Sequence, residues 1–454
     1  MLVGYNLAIM LDDVIVAIAT PYGKAGIAVI RMSGKGCLNL AKKMFTPFSK
    51  DATYEPNLMV LGKIDLSTTY DKGFLVYFKS PKSYTGEDVV EFQCHGGVYV
   101  AQRIVEKAIS LGARLAEAGE FSKRAFLNGK MSLDEAEGVI DTINAETESE
   151  LRASSDLVRG RLYNKIKALQ DVLIDVMSNI EVNLDYPEHD IEYETKNGIL
   201  KDIKTIENEI STLLSSESKG RLIKNGINVA IVGRPNVGKS MLLNALVGED
   251  QAIVTDIAGT TRDVVTASVE YNGIKINFLD TAGLRKTNDI VENIGIEKAK
   301  QALEKSDLVL SILDASTFLT DEDKEMLDLV ADKQKIIILN KIDLPQKLNF
   351  EGECIKLSAK QNLNIDELKE RIYNMAMATS PTSSSLVLTN LRHVSILKEA
   401  KDMCQNIIEN DSDLTLDLVA LDCRLLYEKL GEITGESATE EVIDRIFSKF
   451  CLGK

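Results

Sequence analysis

The chain has 454 residues, with 53 lysines and arginines against 69 aspartates and glutamates and a net charge of −16. That balance excludes an overtly basic nucleic-acid binder, while 44% apolar content suffices for sizeable cores, spread over about three domains by length. Six scattered cysteines form no C-x-x-C pair, and the histidines at 95, 189 and 393 lack metal-ligand spacing, a pattern that fits reduced thiols in the cytoplasm.

No apolar run reaches the roughly 18 residues of a membrane span. Residues 1–9 are apolar but carry no basic side chain and no cleavage-like site, so no signal peptide is expected. Met10 fits a natural start, with residues 1–9 an extension. From residue 14 to about 130, short apolar runs alternate with turn signals. Strands are expected at Val14–Ile18, Gly26–Arg31, Gly73–Phe78 and Val89–Cys94, and helices near Leu38–Met44 and Val98–Leu111. This is a small α+β domain. On its strand Glu91 alternates with apolar residues, which by itself makes it an ordinary surface carboxylate.

Residues 132–220 read as helical. Ser132-Leu-Asp-Glu135 is a capping box. Leu162, Ile166, Leu169, Leu173, Val176 and Ile180 recur at spacings of four and three, as do Ile199, Ile203, Ile206, Ile210 and Leu213. These are packing seams of antiparallel helices. Asp185–Asp190 breaks the pattern as a loop, and Ser215–Gly220 ends the region. Further on, Ser380–Ser385 is a linker by composition. Helices resume with one stripe at Leu414, Leu418, Leu421 and Leu425 and another at Val442, Ile443 and Ile446. The two helical regions are expected to form one bundle, with the segment between them inserted.

That segment carries four motifs, each at the end of a strand-like run. Gly233-Arg-Pro-Asn-Val-Gly-Lys-Ser240 fits the phosphate-binding loop, follows the run Ile227–Val232 and leads into a helix. Its glycines let successive N–H groups face one point at a helix N-terminus. Lys239 would reach the β- and γ-phosphates and Ser240 would ligate Mg²⁺. Asp280-Thr281-Ala282-Gly283 follows Ile276–Leu279; Asp280 can hold Mg²⁺ through water and the Gly283 N–H can meet the γ-phosphate. Asn340-Lys341-Ile-Asp343 follows Lys335–Leu339, and the Asp343 carboxylate can accept two hydrogen bonds from guanine. Ser358-Ala359-Lys360 can meet the guanine O6. Ligands of open α/β sheets sit beyond such strand ends. The centre of the chain resembles a Ras-like GTPase domain.

Further stretches extend the resemblance. They are Gly23–Arg31, Tyr84-Thr-Gly-Glu-Asp88, His95-Gly-Gly97, Gly119-Glu-Phe-Ser-Lys-Arg-Ala-Phe-Leu-Asn128 and the Cys-x-Gly-Lys tail. In that order they closely resemble the MnmE (TrmE) family of tRNA-modification GTPases, from about Asp12 to Lys454. The resemblance implies an N-terminal α+β folate-binding and dimerisation domain over 1–130 and a helical domain over 131–222 and 380–454. It places a Ras-like α/β G domain over 223–379, inserted in the helical domain. It implies a homodimer that works with MnmG, the partner that carries FAD, on C5 of the wobble uridine of certain tRNAs. A tetrahydrofolate derivative would supply the one-carbon unit.

The family's site residues carry over by position. The nucleotide set is Asn236, Val237, Gly238, Lys239, Ser240 and Met241, then Thr255, Asp256, Ile257, Ala258, Gly259, Thr260 and Thr261, and the three later motifs. Mg²⁺ falls to Ser240 and Thr261, and K⁺ to Asn236, Thr255, Ile257 and Thr260. The catalytic residue is Glu292, because Leu284 stands where Ras-like enzymes place a water-orienting glutamine. Met241 departs from the small polar residue usual in the family. Folate falls to Arg31, Glu91, Lys130 and Lys454. Cys451 lies near this site; from the residues alone it is either a buried small side chain or a tethered thiol. Ribosome-assembly GTPases that use GTP only as a binding switch share the Asn236-type loop. They lack the folate domain and the tail. A pure folate-binding scaffold is countered by the four GTPase motifs.

Overall fold

The computed structural model describes residues 13–185, 191–248, 265–279, 303–378, 384–409 and 415–454. The chain divides into two compact units. One comprises the residues up to Ile140 with Leu157–Val182 and Asp417–Lys454; the other comprises Asp141–Asp156 and Asn183–Leu416.

The first unit is built on a seven-stranded sheet. Its strands are β1 (Ile15–Ile18), β2 (Ile27–Ser33), β3 (Phe45–Pro47), β4 (Met59–Asp65), β5 (Tyr70–Phe78), β6 (Val89–His95) and β7 (Arg114–Leu115). They run in the order β3-β4-β5-β6-β2-β1-β7. All neighbours are antiparallel except β1 and β7. Strand alternation decides which residues face the core. Ala28, Ile30 and Met32 of β2 and Val90, Phe92 and Cys94 of β6 are buried in the cluster that helices α1 (Cys37–Lys43) and α2 (Val98–Ser110) complete. The intervening positions face the other way, and the β2–β6 register sets Arg31 directly opposite Glu91.

One short element was not legible as such. Gly119–Asn128, known only as a motif, folds as helix α3 (Glu120–Leu127). Gly119 caps it at φ 69°, and a Cβ there would lie 2.3 Å from the Phe447 carbonyl oxygen. The C-terminal helix of the unit, introduced below, therefore rests directly on the start of α3.

The capping box at Ser132 forms as expected at the head of α4 (Leu133–Asn144). Ser132 N–H donates to Glu135 at 2.8 Å, and Glu135 N–H donates back to the Ser132 hydroxyl at 3.4 Å. Helices α5 (Glu148–Val158), α6 (Arg161–Asp185), α7 (Ile191–Leu214) and α8 (Glu217–Asn225) follow. The stripes on α6 and α7 are buried at every position named. Residues 215–220 do not end the helical region: after a turn, α8 continues it. Gly220 makes this possible, because any Cβ there would sit 1.7 Å from the Leu388 carbonyl oxygen.

Beyond the central segment come α12 (Leu391–Glu409), α13 (Leu416–Thr434) and α14 (Glu440–Phe447). Helix α7 packs along α12. Gln170 of α6 donates to the Tyr427 carbonyl of α13 at 3.1 Å. Val442, Ile443 and Ile446 of α14 join the cluster of Phe126, Leu133 and Phe450.

The stripe expected on α13 is wrong. Leu418, Leu421 and Leu425 are 45–52% exposed, whereas Val419, Cys423, Leu426, Leu430 and Ile433 are buried. Both sets have 4-3 spacing. The buried one runs the length of the helix, while the other meets Glu428 and Lys429 after Leu425. The longer seam buries more apolar area and wins. Leu414, the Tyr186–Asp190 part of the expected loop, the Ser380–Ser383 part of the linker and residues 1–9 lie outside the described residues.

The second unit contains a six-stranded sheet of β8 (Ile227–Val232), β9 (Val265–Tyr271), β10 (Ile274–Leu279), β11 (Leu308–Asp314), β12 (Lys335–Asn340) and β13 (Ile355–Lys356), ordered β13-β12-β11-β8-β10-β9. All pairs are parallel except β9–β10. Helices α9 (Lys239–Val247) and α10 (Asp321–Leu329) lie between its strands, and α11 (Ile365–Ala378) follows β13. The central strands are near-continuous apolar runs, as parallel strands covered on both faces must be. Their carboxyl ends bring together the loops after β8, β11, β12 and β13.

Candidate functional site

The phosphate-loop motif leaves β8 and enters α9 through three residues of positive φ, Gly233 at 156°, Asn236 at 64° and Gly238 at 104°. Gly238 cannot be replaced freely, since a Cβ would stand 2.4 Å from the Asn340 amide nitrogen. This close approach has a purpose. The Asn340 side chain donates to the Val237 carbonyl at 2.8 Å and accepts from the Ala359 N–H at 3.1 Å. One buried amide thereby joins three of the four motifs.

Lys239 opens α9. Its ammonium donates to the Gly233 and Arg234 carbonyls at 2.6 and 3.0 Å, and burial pushes its pKa down. A cation desolvated at a helix N-terminus, held only by carbonyl dipoles, is stabilised by an arriving anion. The residues present fit a nucleotide phosphate. Ser240 and Met241 are exposed on the first turn. Arg234 anchors the loop from the other side, with Nε 3.2 Å from Asp323 and a nitrogen 2.7 Å from the Thr317 hydroxyl.

In the guanine loop, Asp343 accepts from the Ser358 hydroxyl at 2.6 Å, and Ser358 caps the Gln361 N–H at 3.3 Å. Lys341 donates to the Asn236 carbonyl at 2.8 Å. Lys360 is exposed. Thr255, Asp256, Ile257, Ala258, Gly259, Thr260, Thr261, Asp280, Thr281, Ala282, Gly283 and Glu292 lie outside the described residues.

A second constellation occupies the first unit. Arg31 pairs with Glu91 at 2.8 Å, each 16% exposed. Its guanidinium lies 5.2 Å from the Tyr84 ring centroid and 5.7 Å from that of Phe121, within cation–π range. The chain terminus completes the group. The Phe121 N–H donates to the Lys454 carbonyl at 3.2 Å, and Arg31 reaches the Gly453 carbonyl at 3.4 Å. Gly453 has φ 91° and packs where a Cβ would be 2.3 Å from the Ile18 carbonyl oxygen. The Lys454 ammonium stands 6.0 Å from the Tyr84 ring, and burial and the Arg31 charge push its pKa down. The side chains of Arg31, Glu91 and Lys454, walled by aromatic rings, fit a conjugated ligand with anionic or carbonyl oxygens.

Sequence reasoning paired Arg31, Glu91 and Lys454 only through the resemblance, and the fold brings all three together. Lys130 is exposed after α3, its side chain against Gly86. Cys451 is an exposed free thiol. The aromatic walls Tyr84 and Phe121 were missed as site residues, although both fall inside quoted motifs.

Beneath this group lies an ionic network that no pattern announced. Arg124, 2% exposed, meets Asp13 at 2.5 Å, Glu120 at 3.0 Å and Glu87 at 3.3 Å. Burial raises the Asp13 and Glu120 carboxyls, but the hydrogen bonds from Arg114, 2.6 Å from each, and from Arg124 outweigh it and hold both below the ordinary range.

Comparison with known proteins places the whole chain in one family. A model described as GTP-binding protein TrmE N-terminus matches residues 14–130, and one described as MnmE helical domain matches residues 133–451. The tRNA modification GTPase MnmE of Clostridioides difficile (strain 630) is 42% identical over 457 residues, covering 98% of this chain and 100% of that one. The chain belongs to the MnmE (TrmE) family. The protein named tRNA modification GTPase MnmE in Desulforamulus reducens is 42% identical over 465 residues, with 98% and 100% coverage. Among solved structures, Era in complex with MgGDPNP and nucleotides of 16S ribosomal RNA matches at TM-score 0.27 and 30% identity, covering 39% of this chain and 66% of that one. As a member of the MnmE family the chain is a GTPase. No helix among the described residues is long and apolar enough to cross a membrane.

Proposed function

We propose that this enzyme is a K⁺-dependent GTPase, activated when two G domains meet, that takes part in modifying C5 of the wobble uridine (U34) of certain tRNAs. It acts in the cytoplasm as a homodimer with MnmG, the FAD protein, and adds an aminomethyl or carboxymethylaminomethyl group. The one-carbon unit comes from a 5-formyl- or 5,10-methylene-tetrahydrofolate bound at Arg31, Glu91, Lys130 and Lys454, with Cys451 adjacent. The domain layout is residues 1–130, 131–222, 223–379 and 380–454, the G domain being inserted in the helical one.

The observation that carries the reading is the joint made by Asn340. It fixes the phosphate loop and the guanine loop to each other in a chain 42% identical, over nearly its whole length, to tRNA modification GTPases. Lys239 binds the β- and γ-phosphates and Asp343 selects guanine. Ser240 and Thr261 hold Mg²⁺, with Asp280 behind water and the Gly283 N–H on the γ-phosphate. Asn236, Thr255, Ile257 and Thr260 hold K⁺, with charge where other GTPases bring an arginine finger. When bound, these two cations offset the charge that develops on the transferring phosphoryl group. Glu292 orients the attacking water, because Leu284 cannot.

Loss of an arginine finger lowers turnover by roughly 10³ to 10⁵, so replacement of K⁺ by Na⁺ is expected to lower phosphate release sharply while GTP still binds. Glu292→Ala should do the same while K⁺-dependent dimerisation persists. Equal rates in the two salts would overturn the K⁺ reading, and a fully active Glu292→Ala would overturn the assignment of the water-orienting residue.

A further inference from the structure

Asp314 belongs to none of the four motifs. It ends β11, the fully buried central strand, in register with Asn340 of β12. Its side chain is 5% exposed. The carboxylate accepts from the Lys341 ammonium at 2.6 Å, and from the N–H and hydroxyl of Ser316 at 2.9 and 2.6 Å. Lys341, held at φ 68°, places the same ammonium 2.8 Å from the Asn236 carbonyl. Asn236 is itself left-handed. The order is thus carboxylate, ammonium, phosphate-loop carbonyl, with the carboxylate supplied by a strand that carries no recognised motif.

We propose that Asp314 is a positioning residue for the guanine nucleotide: it fixes Lys341 so that the guanine loop clamps the phosphate loop at Asn236. A lysine has four rotatable side-chain bonds and little preference of its own, so the direction of its charge must be imposed. A nearly buried carboxylate imposes it, because a charge-assisted hydrogen bond in a low-dielectric site is strong and directional. The Ser316 backbone N–H, which no side-chain substitution removes, fixes the carboxylate in turn. Burial pushes the Asp314 carboxyl up, but the hydrogen bonds from Lys341 and Ser316 outweigh it, so the group is ionised at neutral pH. The clamp bears on the Asn236 backbone, so it also fixes the residue to which the proposed function assigns K⁺. The inference rests on Lys341 belonging to the nucleotide site.

The test uses the full chain and a fluorescent GDP analogue. Asp314→Asn keeps the shape and removes the charge, and it should accelerate GDP release roughly ten- to a hundredfold, the loss expected for a hydrogen bond to a charged group. If Asp314 acts through Lys341, adding Asp314→Asn to Lys341→Met changes release by less than about twofold, since residues sharing one interaction are not additive. Ser316→Ala removes a donor to the carboxylate but keeps the lysine pair, and it should stay within about twofold of the parent. Wild-type release from Asp314→Asn overturns the proposal, as do additive effects in the double variant or an equal loss in Ser316→Ala. Wild-type affinity in Lys341→Met alone would overturn something larger, the assignment of the guanine loop.

Discussion

The phosphate loop and the Arg31 group both present cations to a ligand, but they are built in opposite ways. At the phosphate loop, eight consecutive residues supply the donors, and the Lys239 ammonium is held by two carbonyls of the same loop. At the Arg31 group, the partners come from β2, β6, the Tyr84 loop, α3 and the chain terminus, and Arg31 already carries a carboxylate on Glu91. The first site is local geometry braced from outside at Arg234, Asn236 and Val237. The second exists only when a sheet register, a helix start and a C-terminal tail all arrive together. The sites should therefore fail for different reasons.

The largest effect is expected at the buried ionic network. Replacing Arg124 by Met takes the arginine from Glu87, while Asp13 and Glu120 each keep Arg114 at 2.6 Å. Breaking a buried pair in this way costs about 3–5 kcal/mol. Urea unfolding should show an early transition in the first unit, while the fluorescent GDP analogue still binds. If nucleotide binding fell in step, the two sites would not be separately built.

Gly238→Ala attacks the other side of the comparison. Its Cβ would overlap the Asn340 amide at a φ that disfavours side chains, and nucleotide affinity should fall at least roughly a hundredfold, about 2.7 kcal/mol. Titration of 5-formyltetrahydrofolate should be unchanged. Arg31→Ala gives the reverse pattern. It removes one charge-assisted contact, worth roughly tenfold in folate affinity, and leaves GTP turnover intact. Wild-type folate affinity would remove Arg31 from the site.

The smallest effect follows from Lys239. Burial lowers its pKa in the free enzyme, and a bound polyphosphate favours its protonated form. Above the depressed pKa, binding must therefore take up a proton. GDP affinity should fall as pH rises toward about 10, beginning below the ordinary lysine value near 10.4. A flat profile up to that value would mean that the ammonium is not buried as described.

These contrasts explain what the sequence made legible. The phosphate loop could be read because its function lies in contiguous residues whose φ values demand glycine or asparagine. The β8, β10 and β12 strands could be read because parallel buried strands are apolar runs. Asp314 ends just such a run, so an acid at a strand's carboxyl end was a signal that went unused. The Arg31–Glu91 pair could not be read from alternation, which made Glu91 look like a surface carboxylate. Only the β2–β6 register turns it inward to a partner 60 residues away. The α13 stripe misled because two 4-3 patterns share one helix, and spacing alone does not rank them. Arg124 gave no signal, because nothing local distinguishes an arginine that will be buried from one on a solvated face.

The central claim is that a GTPase site and a one-carbon site of unlike construction serve one tRNA modification. It is tested most directly by mass spectrometry of wobble nucleosides from a strain lacking the gene, complemented with the wild type, Lys239→Ala or Arg31→Ala. The wild type should restore the C5-modified uridine, Lys239→Ala should fail and Arg31→Ala should restore markedly less, although Arg31→Ala still hydrolyses GTP and Lys239→Ala still binds folate. Full restoration by either variant would contradict the claim that both sites are needed.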